Sequence, residues 1–244
     1  MGNSRMKSVK RGCDPQDDRW FSKEALLRMQ KAQEEIQWLL DRNYNSHSII
    51  EMVGNHYQFS ARQRNALIRS TASSKKIEAR RAKCIFPDLT NTDLIYIDGF
   101  NLIITLETAF SGSPIILCSD GAVRDLAGLR GTYRIIDKTG YAMNTIGKEL
   151  DDVHISHVIF LLDRGVSNSG RLRKFILENS ENWNINVEVR LMDSVDCFLY
   201  KKYCVVTSDS IIIDECYSWY NLARKIIQDY IPHANIINLC GSFK

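Results

Sequence analysis

Leu94-Ile95-Tyr96-Ile97-Asp98-Gly99-Phe100-Asn101-Leu102-Ile103 is the stretch on which the reading of this chain turns. Four β-favouring residues run into an aspartate and a glycine, and the apolar residues beyond them continue at helical spacing. That order predicts a buried strand turning directly into a helix. The same alternation recurs downstream. Strand candidates lie at 94–97 (LIYI), 115–118 (IILC), 158–162 (VIFLL), 187–191 (VEVRL), 204–207 (CVVT) and 235–239 (NIINL). Helices are expected near 100–110, 139–152, 169–180, 194–202 and 216–230. Short β-rich runs alternating with helical segments predict an α/β domain over 87–244, a mostly parallel sheet with helices on both faces.

Five of the six strand candidates are followed within two residues by an aspartate: Asp98, Asp120, Asp163, Asp193 and Asp209. Parallel strands end on one common edge, where open α/β sheets place their ligands. Carboxylates gathered there repel by roughly 4 kcal/mol per pair at 4 Å and an effective dielectric of 20, so a cluster calls for protonation or a cation. Hard oxygen ligands without His or Cys beside them suit Mg²⁺ or Mn²⁺, whose remaining positions accept water and phosphate oxygens. Metal-activated hydrolysis of a phosphodiester is the chemistry that fits. Helix capping is the competing explanation, expected for Asp193 and for Asp120.

Upstream of Pro87 the period is helical. Residues 1–19 read as a flexible N-terminus and 20–86 as a basic helical domain. Leu26, Met29, Ile36, Leu39 and Leu40 predict a first helix ending near Asn43; a second starts at Ser46 or Ser48 and stops at Gly54. A third starts at Ser60, capped reciprocally by Gln63, and is expected to continue to Cys84. On such a helix Arg62, Arg69, Lys76, Arg80 and Lys83 fall within roughly 60° of one another, a basic stripe suited to an RNA backbone. Helices two and three loosely resemble a helix-turn-helix, with a connection longer than usual. Residues 1–86 hold 17 Lys and Arg against 9 Asp and Glu, and residues 87–244 hold 15 against 20, so a cationic arm precedes an acidic domain.

The remaining numbers mainly exclude. The chain has 244 residues and a net charge of +3, with seven cysteines and no C-x-x-C pair, which points to a reducing cytoplasm and away from a thiolate zinc site. No apolar run reaches the roughly 18–20 residues that span a bilayer, and no signal peptide is visible. Neither G-x-x-x-x-G-K-[ST] nor G-x-G-x-x-G occurs, which argues against nucleoside-triphosphate hydrolysis and dinucleotide binding. Two polar, Gly-containing loops are candidate phosphate contacts: 163–170, leading to Arg171, Arg173 and Lys174, and 119–134, with Arg124, Arg130 and Arg134.

Three short motifs resemble one family. Ile97-Asp98-Gly99-Phe100-Asn101 is similar to the Asp-Gly-x-Asn opening of the NYN branch of PIN-like nucleases. Val205-Val206-Thr207-Ser208-Asp209 resembles its late strand ending in Thr-x-Asp, and Ser194-Val195-Asp196-Cys197-Phe198 stands where that family places an acid at the start of a helix. The resemblance implies a metal-dependent endoribonuclease with Asp98, Asp196 and Asp209 on Mg²⁺ or Mn²⁺. It also implies Asp214 as a fourth acid and Asn101 orienting Asp98 or touching substrate. Asp163 joins the expected metal ligands from its position at a strand end. RNA is the implied partner, and homodimers are common in the family. The alternative is a non-catalytic PIN-like module that binds RNA or a protein.

Overall fold

A computed structural model describes residues 9–86, 93–128 and 131–240. The helical half contains α1 (Asp17–Trp20), α2 (Lys23–Leu40), α3 (Ser46–His56), α4 (Ala61–Ser70) and α5 (Ser74–Ala82). The reciprocal cap at Ser60 and Gln63 forms as expected. The third helix, however, is two. Thr71 is extended at φ −112°, ψ 142°, and α5 restarts behind Ser73. The Thr-Ala-Ser-Ser stretch at 71–74 supplies hydroxyls that favour caps over helix interior. Asp41 fixes the restart by accepting from the Ser74 N–H at 2.6 Å and its hydroxyl at 2.8 Å. The five cations expected in one stripe therefore belong to two helices.

Cys84 and Ile85, expected at the end of that helix, form strand β1 (Cys84–Ile85). Next come β2 (Leu94–Asp98), α6 (Gly99–Phe110), β3 (Ile115–Leu117), β4 (Val123–Asp125), α7 (Asp137–Asp152), β5 (His157–Asp163) and α8 (Ser169–Ser180). The chain finishes with β6 (Asn186–Met192), α9 (Val195–Leu199), β7 (Val205–Val206), α10 (Ser210–Glu215), β8 (Trp219–Tyr220), α11 (Leu222–Tyr230) and β9 (Ile236–Asn238). Six strands form an all-parallel sheet in the order β1-β8-β7-β2-β5-β6. The runs at 115–118 and 235–239 do not join it. They form a second sheet, β4-β3-β9, with β3 antiparallel to β4 and parallel to β9.

Helices cover both faces of the main sheet, and β5 shows why its sequence is a continuous apolar run. Val158, Phe160 and Leu162 point into a core shared with α6, α7, α8 and α11, while Ile159 and Leu161 point into one shared with α9 and α10. The helical half is not separate. Met29, Ile36, Ile49, Val53 and Leu67 pack in one cluster with Ile116, Cys118, Ile237 and Leu239 of the second sheet. The segment read as a flexible N-terminus is anchored from Val9 onward, since Arg11 pairs with buried Glu107 at 2.8 Å and Asp17 is buried against Arg62. Among the described residues no helix is long and apolar enough to cross a membrane.

Candidate functional site

Asp98 ends β2 and caps α6, accepting from the Asn101 N–H. Gly99 is required at the turn because a Cβ there would lie 2.6 Å from Leu162 Cδ2 and 3.0 Å from the Leu161 carbonyl. Only a glycine lets α6 leave so close to β5. The Asp98 side chain is thereby held against the sheet edge, 7% exposed.

Two strands' ends meet around it. Just past β7, the Thr207 hydroxyl donates to Asp98 Oδ2 at 2.9 Å, and Thr207 Oγ1 itself accepts the Asp209 N–H at 3.1 Å. Asn101 does not bond Asp98 through its side chain. Its Oδ1 accepts from the Ser208 N–H at 2.8 Å and hydroxyl at 2.9 Å, tying α6 to the loop that carries Asp209. Asp209 caps α10, with Oδ1 taking the Ile211 N–H at 2.7 Å. Asp163 ends β5 and accepts the Val195 N–H at 3.4 Å, which draws the start of α9 over the same edge. Asp196 lies in the first turn of α9, exposed.

Asp98 lies within electrostatic reach of Asp196 and Asp209, and Asp196 within reach of Asp209 and Asp163. Burial pushes the Asp98 carboxyl up to about 7; Thr207 and the Asn101 N–H pull it down, and Asp196 and Asp209 push it further up. Asp196 is also raised, by burial first and then by Asp209 and Asp163. Even so, as the side chains stand, no three His, Cys, Asp or Glu among the described residues form a ready-made metal cage. Mutual repulsion keeps bare carboxylates apart, and rotation about χ1 and χ2 is what closing on a cation would require. Carboxylate oxygens are the donor type that Mg²⁺ or Mn²⁺ takes, and Asp98, Asp196, Asp209 and Asp163 are the residues that would hold such an ion.

Three expected acids and most expected cations belong elsewhere. Asp214 turns to α5, where Arg80 Nε lies 2.6 Å and Lys76 Nζ 2.9 Å from its carboxylate. Asp120 caps no helix; it is buried between Arg80 at 2.9 Å and Arg124 at 2.7 Å. Asp193 is exposed and pairs with Arg164, the cap of α9 being Ser194. The capping role expected for Asp120 and Asp193 falls instead to Asp98 and Asp209.

Of the eight cations assigned to RNA, Arg80 and Arg124 are buried in ion pairs, and Arg62 is held by Asp17 and the Gly12 carbonyl. Lys83 donates to the Asp214 carbonyl at 2.6 Å, Lys76 reaches Asp214, and Arg69 is half-buried beside Asn65. Arg171 and Arg173 are exposed at the start of α8, on the edge where β5 ends in Asp163, while Lys76, also exposed, is turned to Asp214. Arg130 lies outside the described residues.

Thr207 and Ser208 are the functional positions the sequence did not mark. Thr207 stood in view inside Thr-x-Asp, but its bond to Asp98, 109 positions away, leaves no local pattern. A cleft of about 550 Å³, lined by Arg81, Cys84, Phe86, Tyr220 and Arg224 among others, lies at the β1–β8 end and contains none of Asp98, Asp163, Asp196 and Asp209. Volume is a poorer guide here than the meeting of carboxylates.

Two family models match the chain side by side. Residues 87–225 match the family described as domain of unknown function DUF5616, and residues 28–83 match that described as protein of unknown function DUF434. The chain is 36% identical over 187 residues to "Uncharacterized protein MJ0935" of Methanocaldococcus jannaschii, a match covering 77% of this chain and 89% of that protein. No solved structure matches it.

Proposed function

The chain belongs to the family described as domain of unknown function DUF5616, which carries no stated activity, and we propose from the site itself that it is a divalent-metal-dependent endoribonuclease. The observation that carries this reading is the Asp98 carboxyl, buried at the end of a parallel strand, raised to about 7, and faced by Asp196 and Asp209. A folded protein that keeps such a cluster bears a standing electrostatic cost, which a cation relieves. The resemblance of the Asp98, Asp196 and Asp209 motifs to PIN-like nucleases gives the same assignment.

Asp98, Asp196 and Asp209 would hold Mg²⁺ or Mn²⁺, which when bound supplies a Lewis acid for phosphate and lowers the pKa of a water. The chain's own residues do the rest. Thr207 fixes Asp98 Oδ2, while Oδ1 takes the Asn101 N–H at 3.5 Å. Asn101 holds Ser208, and through it the approach of Asp209. Exposed Arg171 and Arg173 at the N-terminus of α8 are placed to neutralise phosphates of a strand crossing the acid edge. RNA as substrate, and a homodimer as its assembly, rest on the resemblance alone.

A second reading is a non-catalytic module that binds RNA or a protein; the wide spacing of the acids as they stand favours it. Cleavage assays separate the two. The nuclease reading expects RNA cleavage that requires Mn²⁺ or Mg²⁺ and falls about 10²–10³-fold in Asp98→Asn and in Asp209→Asn, with circular dichroism unchanged. Undiminished cleavage in either variant, or salt-sensitive RNA binding with no turnover in the wild type, contradicts it.

A further inference from the structure

We infer that the helical half is a positioning element for the acid edge, acting from Arg80 through Asp120 and Arg124 to the carbonyl of Ser208. Arg80 leaves α5 only 6% exposed. Its Nε and one terminal nitrogen grip Asp214 at 2.6 and 3.0 Å, and its other terminal nitrogen reaches Asp120 Oδ2 at 2.9 Å. Asp120, 4% exposed, is gripped from the other side by Arg124 at 2.7 and 3.2 Å. Arg124 then donates from Nε to the Ser208 carbonyl at 2.6 Å, and from a terminal nitrogen to the Arg69 carbonyl at the end of α4 at 2.9 Å.

Ser208 stands between Thr207, which bonds Asp98, and Asp209. Its N–H and hydroxyl are held by Asn101 and its carbonyl by Arg124, so every polar group of this residue has a partner. A guanidinium suits this task because its rigid fork presents separate N–H groups to a carboxylate and to a carbonyl in fixed directions. Burial binds the relay together. Withdrawing either arginine leaves buried Asp120 with one guanidinium instead of two, so the relay shifts as a unit. The cations that looked like an RNA-binding stripe thus include two, Arg80 and Lys83, that dock the helices on the α10 segment following Asp209. The consequence for cleavage rests on the nuclease reading; the coupling itself does not.

Amide hydrogen exchange in the full chain, without metal or RNA, tests the coupling directly. Asp120→Asn and Arg80→Gln should each speed exchange at the Ser208 and Asp209 amides about tenfold or more while the Ile159–Leu161 amides of β5 keep their protection. Lys76→Ala, which removes only the exposed outer contact to Asp214, should leave the same amides unchanged. In the cleavage assay the first two variants should lose kcat with KM unaltered. Should either fail to fold, Arg124→Lys keeps a charge beside Asp120 but loses the Nε–H that holds the Ser208 carbonyl, and is read in the same way. Loop amides at wild-type rates in Asp120→Asn and Arg80→Gln, or in Arg124→Lys, would overturn the relay. Loop amides that respond in a protein that never cleaves RNA would leave the relay standing and remove the nuclease reading.

Discussion

Asp98 and Asp120 are both buried carboxylates just past a strand, yet the chain treats them in opposite ways. At Asp120 burial alone would raise the carboxyl; Arg124 and Arg80 together outweigh it and hold the group below the usual range. Asp214 repeats the pattern, with burial overcome by Arg80 and Lys76. At Asp98 burial meets only a hydroxyl and a backbone N–H, and the neighbouring charges are Asp196 and Asp209, so the carboxyl rises to about 7. The same residue type is internal cement where guanidinium arrives and an unmet demand for positive charge where it does not. The contrast locates the chemistry better than any count of acids.

The largest effect expected from this contrast is at the cemented end. Asp120→Ala strips buried Arg124 of its carboxylate and leaves Arg80 only Asp214, and should lower stability by about 3–5 kcal/mol, read as a urea midpoint shift at constant slope. A loss below about 1 kcal/mol would erase the distinction.

At the other end the sign reverses. The folded-state pKa of Asp98 is raised above 3.8, so the folded protein holds an extra proton. The stability this group contributes is fully present below about pH 4 and lost as pH rises through about 7. Asp98→Asn should therefore stabilise the metal-free protein at pH 8 by on the order of 2–4 kcal/mol and hardly at all at pH 4. Thermal melts at the two pH values measure it, and equal shifts at both would remove the electrostatic argument.

The smallest effect sharpens the comparison. Lys76 touches the same Asp214 as Arg80 but is 60% exposed at its side chain, so Lys76→Ala should change stability by less than about 1 kcal/mol. A loss like that of Asp120→Ala would mean that burial is not what separates cement from surface.

How far the sequence reaches follows the same division between local and distant contacts. LIYI into Asp98-Gly99 was legible because a strand, a cap and a close-packed glycine are set by neighbouring residues. The strand near 158–162 and the helix near 139–152 were found nearly to their ends, each carrying its own period. Assignment of 115–118 and 235–239 to the main sheet failed because an apolar run does not name its partner; Ile115 pairs with Ile236 across 121 positions. The unbroken helix over 60–84 failed because the hydroxyls at Thr71–Ser74 favour a cap, and Asp41 reaching over from the end of α2 fixes the restart there. Asp214 and the basic stripe failed for one reason: opposite charges from different elements found each other, and no single stretch shows both partners. Asp98, Asp196 and Asp209 could be named because each sits at an element boundary, and boundaries are what short motifs encode.

Crystals of the wild-type protein soaked in Mn²⁺ at pH 8 test the central claim most directly. Anomalous density should appear between Asp98, Asp196 and Asp209, with their carboxylates turned inward from the positions described and Thr207 still on Asp98 Oδ2. Density elsewhere, or none at that edge with the three side chains unmoved, would contradict the account.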